Sequence, residues 1–159
     1  MNNNSKPARG FMRDRNFLWM LTGAITSMLG DQFTLIALPW LVLQMSHDTF
    51  TLGIVLALLG IPRALFMLIG GAVVDRYDPK SVMMVTKYIN TALLAILVVL
   101  LMTSSLSLWM IYLIALLLGL STAFSIPAGT SMLPRVVAAE HLQAANGMML
   151  GLRQITFFL

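Results

Sequence analysis

Two long apolar runs, residues 50–74 and 81–102, are joined by a short charged stretch, Gly70-Gly71-Ala72-Val73-Val74-Asp75-Arg76-Tyr77-Asp78-Pro79-Lys80. Runs of that length with so few residues between them must turn straight back, so they predict a helical hairpin. Asp75, Arg76, Asp78 and Lys80 do not sit in hydrocarbon, which puts the turn at a membrane surface.

The rest of the chain repeats the pattern. Of its 159 residues 10% are charged, against roughly 25% in soluble domains, and its mean hydropathy is +0.87. Repeated apolar runs near 20 residues mark an integral membrane protein that is all-α, a polytopic transmembrane helical bundle within the lipid bilayer. The net charge of +4 is then a property of loops and gives no reason to expect a nucleic-acid partner. The chain has no Cys, and His47 and His141 lie far apart in different loops, so no metal cluster is expected. There is no nucleophile elbow, phosphate loop or zinc-protease motif, and Asp31 is the only carboxylate within the spans, so neither an enzyme nor a bound cofactor is expected.

In chain order, residues 1–16 form a polar tail with Lys6, Arg9, Arg13 and Arg15. Residues 17–159 hold transmembrane helices 1 to 5. The run 17–45 is about twice the length of a signal-peptide core and lacks a small-residue cleavage site, so it is an uncleaved first helix, with Pro39 as a kink. Helix two spans about 51–74, helix three 81–102 and helix four 108–131. A short segment at 134–143 carries Arg135, Glu140 and His141, and helix five starts near Ala144 and is still apolar at Leu159. At about 24 Å this last helix is short of a roughly 30 Å core, so it reads as truncated. Lys6, Arg9, Arg13, Arg15, Arg76, Lys80, Lys87 and Arg135 fall in or beside alternate loops, and the turns at 46–50 and 103–107 hold no Lys or Arg. The positive-inside rule makes the N-terminus cytoplasmic.

Asp31 and Arg63 stand out as charges inside the spans. Asp31 lies about 21 Å into helix one, and Arg63 lies about 18 Å from Asp75 on the returning helix, so both are near the midplane at similar depth. Such charges face a partner or a water-filled cavity. A structural ion pair and a proton or substrate site both satisfy that rule. Arg153, followed by Gln154, is a third intramembrane charge, on helix five. Gly147 and Gly151 form a GxxxG there, and Gly23 and Ser27 a small-residue pair on helix one; both predict packing seams. The thirteen Met read as scattered lipid-facing residues.

The hinge from Gly71 through Asp75-Arg76 to Lys80 resembles the signature loop between helices two and three of the major facilitator superfamily. Ala123-Phe124-Ser125-Ile126-Pro127-Ala128, Leu133-Pro134-Arg135 and Leu142-Gln143-Ala144-Ala145-Asn146 resemble the helix-four to helix-five region of one exporter subgroup. That subgroup includes enterobactin-exporter-like and macrolide-efflux-like permeases. Gly30-Asp31-Gln32 and Ala37-Leu38-Pro39-Trp40 are similar to their first helix. One position departs from the family pattern: Ala115, four residues before Gly119, stands where an Arg is frequent.

The resemblance implies the first four to five helices of a twelve-helix transporter fold in the cell (inner) membrane, with the C-terminal half of the same protein as the partner that completes it. It implies a secondary active transporter, a proton-driven exporter of drug-like or siderophore-like small molecules working by alternating access. Uptake by a permease of the same superfamily, or a membrane remnant that does not transport, are the alternative readings. Asp31, Gln32, Arg63, Arg153 and Gln154 are then the substrate or proton pathway candidates. Gly71, Asp75, Arg76 and Lys80 are the candidates for a conformational latch.

Overall fold

The computed structural model describes residues 15–136 and 142–158. Among them are five helices and no strand: α1 (Arg15–Ser46), α2 (Thr49–Arg76), α3 (Pro79–Met102), α4 (Leu108–Val136) and α5 (Leu142–Phe158). The first four are long and apolar enough to cross a membrane. Two compact units are present, Ala37–Met132 and a second made of the segments on either side of it.

Local chemistry sets the helix ends. The turn from α1 to α2 has two residues, and His47 closes it in the left-handed region at φ 52°. Asp48 then caps α2: its Oδ1 accepts the Phe50 N–H at 3.1 Å, and its Oδ2 accepts the Thr51 N–H at 3.1 Å and the Thr51 hydroxyl at 2.9 Å. These donors favour the ionised form and hold the Asp48 carboxyl below its ordinary value. Ser104, at φ 54°, serves the turn after α3 in the way His47 serves the first.

Two boundaries differ from the sequence expectation. Helix α2 continues past Val74 to Arg76, so the turn to α3 shrinks to Tyr77 and Asp78. Helix α4 runs past Ser131 and through Pro134 to Val136. Pro134 lies beyond the apolar span of α4, which ends at Met132, and the helix continues about one turn past that end. Glu140 and His141 lie outside the described residues, as do Lys6, Arg9 and Arg13.

Within Ala37–Met132 the core is one apolar cluster. Leu38 and Val42 of α1, Val55 of α2, Leu93 and Leu97 of α3, and Ile111, Ile114, Ala115 and Leu118 of α4 meet there. Large side chains such as Phe50, Leu68 and Met102 point outward, the arrangement expected where the solvent is hydrocarbon. Hydroxyls are kept quiet by their own helices: Thr22, Thr26, Thr34, Thr91 and Thr103 each donate to the carbonyl four residues back.

Helices α2 and α4 touch backbone to backbone at two points, and each point pairs a glycine with a carbonyl. A Cβ added at Gly119 would lie 2.7 Å from the Leu58 oxygen and 2.6 Å from the Leu59 oxygen, and one added at Gly70 would press into the Ala123 oxygen. Leu58 is four residues before Pro62, and Ala123 is four residues before Pro127. Proline has no N–H to return, so it releases the carbonyl four residues earlier from the helix ladder. Each helix thus offers a released carbonyl to a glycine of the other, whose Cα–H groups are the donors within reach.

The sequence-predicted seams behave differently: among the described residues, a Cβ at Gly23, Gly147 or Gly151 would meet nothing within 4 Å.

Gly70→Ala or Gly119→Ala should therefore destabilise the bundle by about 1–3 kcal/mol, the range for overpacking. Gly53→Ala, where the new Cβ meets nothing, should be neutral or slightly stabilising through helix propensity. Thermal unfolding of the detergent-purified variants checks this.

A second expectation concerns acid. The folded Asp48 carboxyl titrates below its unfolded value, so its stabilisation of the α2 start is complete above roughly pH 4, where the unfolded carboxyl is ionised, and is lost as the pH falls through the lower folded value. Amide protection at Phe50 and Thr51, corrected for intrinsic exchange, should fall across that window in the parent and not in Asp48→Ala.

Candidate functional site

The strongest candidate is the corner between α2 and α3. Its geometry follows from three neighbours in sequence. The Tyr77 N–H returns to the Val73 oxygen at 2.9 Å and closes α2. Asp78 is extended, at φ −62° and ψ 120°, as a residue before proline must be, and Pro79 opens α3 at a position where no N–H is needed. The Val82 N–H then reaches the Asp78 oxygen at 3.2 Å. This sharp corner gathers Asp75, Arg76 and Lys80 within six residues, all exposed. Gly71 sits one turn earlier on α2, with open space where a side chain would be.

Two of these charges oppose their own helices. Asp75 lies in the last turn of α2, where the dipole is negative, and Lys80 lies in the first turn of α3, where it is positive. Each placement is unfavourable by about 0.3–1 kcal/mol at a surface. Arg76 alone suits its helix end. Local helix energetics therefore do not account for the pattern, while a partner outside the corner would.

The intramembrane candidates are spread over three helices. Asp31 is exposed on α1 and engaged with a partner inside the protein; Gln32 beside it is half-buried. Both belong to the unit that contains residues up to Ile36. Arg63 belongs to the other unit and is exposed on α2, between the two contact points with α4. Gln154 is exposed on α5. Arg153 precedes it in α5, and its side chain lies outside the described residues. Ala115, where the family pattern has an Arg, is fully buried in the apolar cluster.

The sequence reading passed over a polar group between α3 and α4. Thr86, Asn90 and Ser121 are buried within otherwise apolar helices. Ser121 Oγ donates to the Thr86 carbonyl at 3.2 Å, and Thr86 Oγ1 donates to the carbonyls of Val82 and Met83, both at 3.0 Å. Among the described residues Asn90 Oδ1 is buried without a partner. The i, i+4 spacing of Thr86 and Asn90 in an apolar run was the available signal.

Residues 7–159 match the family described as Major Facilitator Superfamily. Macrolide efflux protein A of Streptococcus pyogenes is 24% identical over 141 residues, which cover 89% of this chain and 35% of that protein. Macrolide efflux protein A of Enterococcus faecalis is 30% identical over 103 residues, covering 64% of this chain and 32% of that protein. The multidrug efflux pump Tap of Mycolicibacterium fortuitum is 32% identical over 112 residues, covering 70% and 27%. The chain thus spans about a third of the length of these relatives. No solved structure matches it.

Proposed function

The chain belongs to the Major Facilitator Superfamily, and from that premise we propose that the whole protein is a secondary transporter that exports drug-like or siderophore-like small molecules. The relatives named for efflux support the direction and the substrate class. The observation that carries the mechanism is the α2–α3 corner, where Asp75 and Lys80 stand against their own helix dipoles. In this reading the corner is a latch. Asp75 accepts hydrogen bonds from a helix N-terminus in the other half of the protein, and Arg76 and Lys80 hold its position. Breaking and remaking those contacts lets one half rock against the other around a midplane site.

The remaining assignments are parts of the same proposal. The protein lies in the cell membrane with its N-terminus and the α2–α3 corner in the cytoplasm, because the basic residues fall on that side. Protons drive export, and Asp31, Gln32, Arg63, Arg153 and Gln154 are the substrate or proton pathway candidates. The rest of the polypeptide supplies the opposing half.

Asp75→Asn in the intact protein should leave membrane abundance nearly unchanged while export falls at least about tenfold, equivalent to about 1.4 kcal/mol on the conformational step. Abundance and efflux measured in the same cells decide it; normal efflux at normal abundance reduces the corner to a solvated turn. For the midplane pair, Asp31→Asn or Arg63→Gln alone should impair folding or export. The swap Asp31→Arg with Arg63→Asp should recover part of that loss in a thermal-stability assay. Equal damage from the swap and the single changes would mean that the two residues do not interact.

A further inference from the structure

Asn90 is 7% exposed, and its Oδ1 is buried without a hydrogen-bond partner among the described residues. Buried polar groups are bonded as a rule, so this acceptor calls for a donor. The donor has to come from within the unit, because Oδ1 is closed to the outside. The hydroxyls around it are spent. Thr86 Oγ1 donates to the carbonyls of Val82 and Met83, Thr91 Oγ1 to that of Lys87, Ser121 Oγ to that of Thr86 and Thr122 Oγ1 to that of Gly119. Lys87 already has a partner. Arg63 is the opposite case. It is exposed on α2 near the midplane, where a lone cation is costly, and no partner for it lies among the described residues.

We propose that in the intact protein the Arg63 guanidinium turns inward and donates to Asn90 Oδ1, which makes Asn90 the residue that positions Arg63. Three observations bring the two together. The first is depth along the hairpin. By helical rise, Arg63 lies about 20 Å from the corner end of α2, and Asn90 lies about 17 Å from the corner end of α3. The second is α4, which serves as an independent ruler. Leu59 lies against Gly119 and Gly70 against Ala123, so Arg63, between them on α2, is level with the α4 turn from Gly119 to Ala123. Ser121 in that turn bonds the Thr86 carbonyl, and Asn90 follows Thr86 by one turn of α3. The third is direction. Arg63 is four residues after Leu59 and seven before Gly70, so it lies on the stripe of α2 that meets α4. Asn90 lies between Thr86 and Leu93 on the buried stripe of α3. Every residue from Arg63 to Ile69 is exposed, so the guanidinium has room to turn. Packed helices lie about 8–10 Å apart, a gap that an Arg and an Asn close from its two sides. A guanidinium has several N–H donors, so this bond leaves others for the pathway proposed above. The pairing itself does not depend on transport and is tested without it.

The test is a double-mutant cycle on the intact protein in detergent, read as the midpoint of thermal unfolding. Asn90→Leu should lower the midpoint by several degrees in the parent, because Arg63 loses its acceptor. In an Arg63→Leu background the same change should raise it, because there the buried amide is an orphan and leucine is not. Asn90→Asp, which keeps an acceptor, should hold the parent midpoint and fail to do so without Arg63. Equal shifts from Asn90→Leu in the two backgrounds would overturn the proposal: an equal rise means that Asn90 has no partner, and an equal fall means that its partner is another group or a water. A second measurement does not need purified, stable variants. Arg63→Cys with Asn90→Cys, in the intact protein freed of other cysteines, should be bridged in membranes by a short bis-methanethiosulfonate, read by mass spectrometry of the joined α2 and α3 peptides. Leu68→Cys with Asn90→Cys should not be, since Leu68 is 85% exposed and off the stripe. Bridging of neither pair, or of both alike, would overturn the proposal.

Discussion

Everything else in the four-helix unit is arranged around the double contact between α2 and α4. In water, burial of large side chains would hold two helices together. In a bilayer the surrounding chains are as apolar as leucine, so that driving force vanishes and close packing with weak polar contacts must replace it. Here the prolines and glycines are partners. Pro62 and Pro127 each release one carbonyl, and Gly119 and Gly70 are the residues that let the opposite backbone come up to it. A residue class usually described as helix-breaking is what supplies the polar end of the contact. The contact also sets the distance between α2 and α4 along the stretch that leads to the corner, so the position of Asp75 depends on it.

The division between apolar core and polar seam follows the same logic. Side chains from Leu38 to Leu118 form the apolar cluster, and toward the corner the contacts include Gly70 to Ala123 and Ser121 to Thr86.

Much of this was legible in the sequence, for identifiable reasons. The runs 50–74 and 81–102 could only be spans, and the charges between them could only be a surface turn, because hydrocarbon admits no other solution. The ends were harder. Pro134 reads as a stop, yet α4 passes through it to Val136. The packing glycines were harder still. Gly147 and Gly151 carry the familiar spacing and have nothing near them among the described residues, whereas Gly70 reads as the start of the hinge and Gly119 as one position of a family pattern. Their role depends on a proline in a different helix about sixty residues away, and no local window contains both. The corner was legible as chemistry, but its dipole mismatch could be seen only once α2 was known to run on to Arg76.

The turn from α1 to α2 has a mechanical consequence. Ser46 Oγ bonds back to the Val42 carbonyl at 2.8 Å and accepts the Asp48 N–H at 3.2 Å, while the Asp48 carboxylate grips the first turn of α2. No residue between the helices is left as slack. The two helix ends form a rigid joint, and a displacement of the last turn of α1 must be delivered to the first turn of α2 without loss. A transporter made of such joints would behave at that end as a lever with a welded elbow, and a few flexible residues inserted at His47 would turn the weld into a hinge.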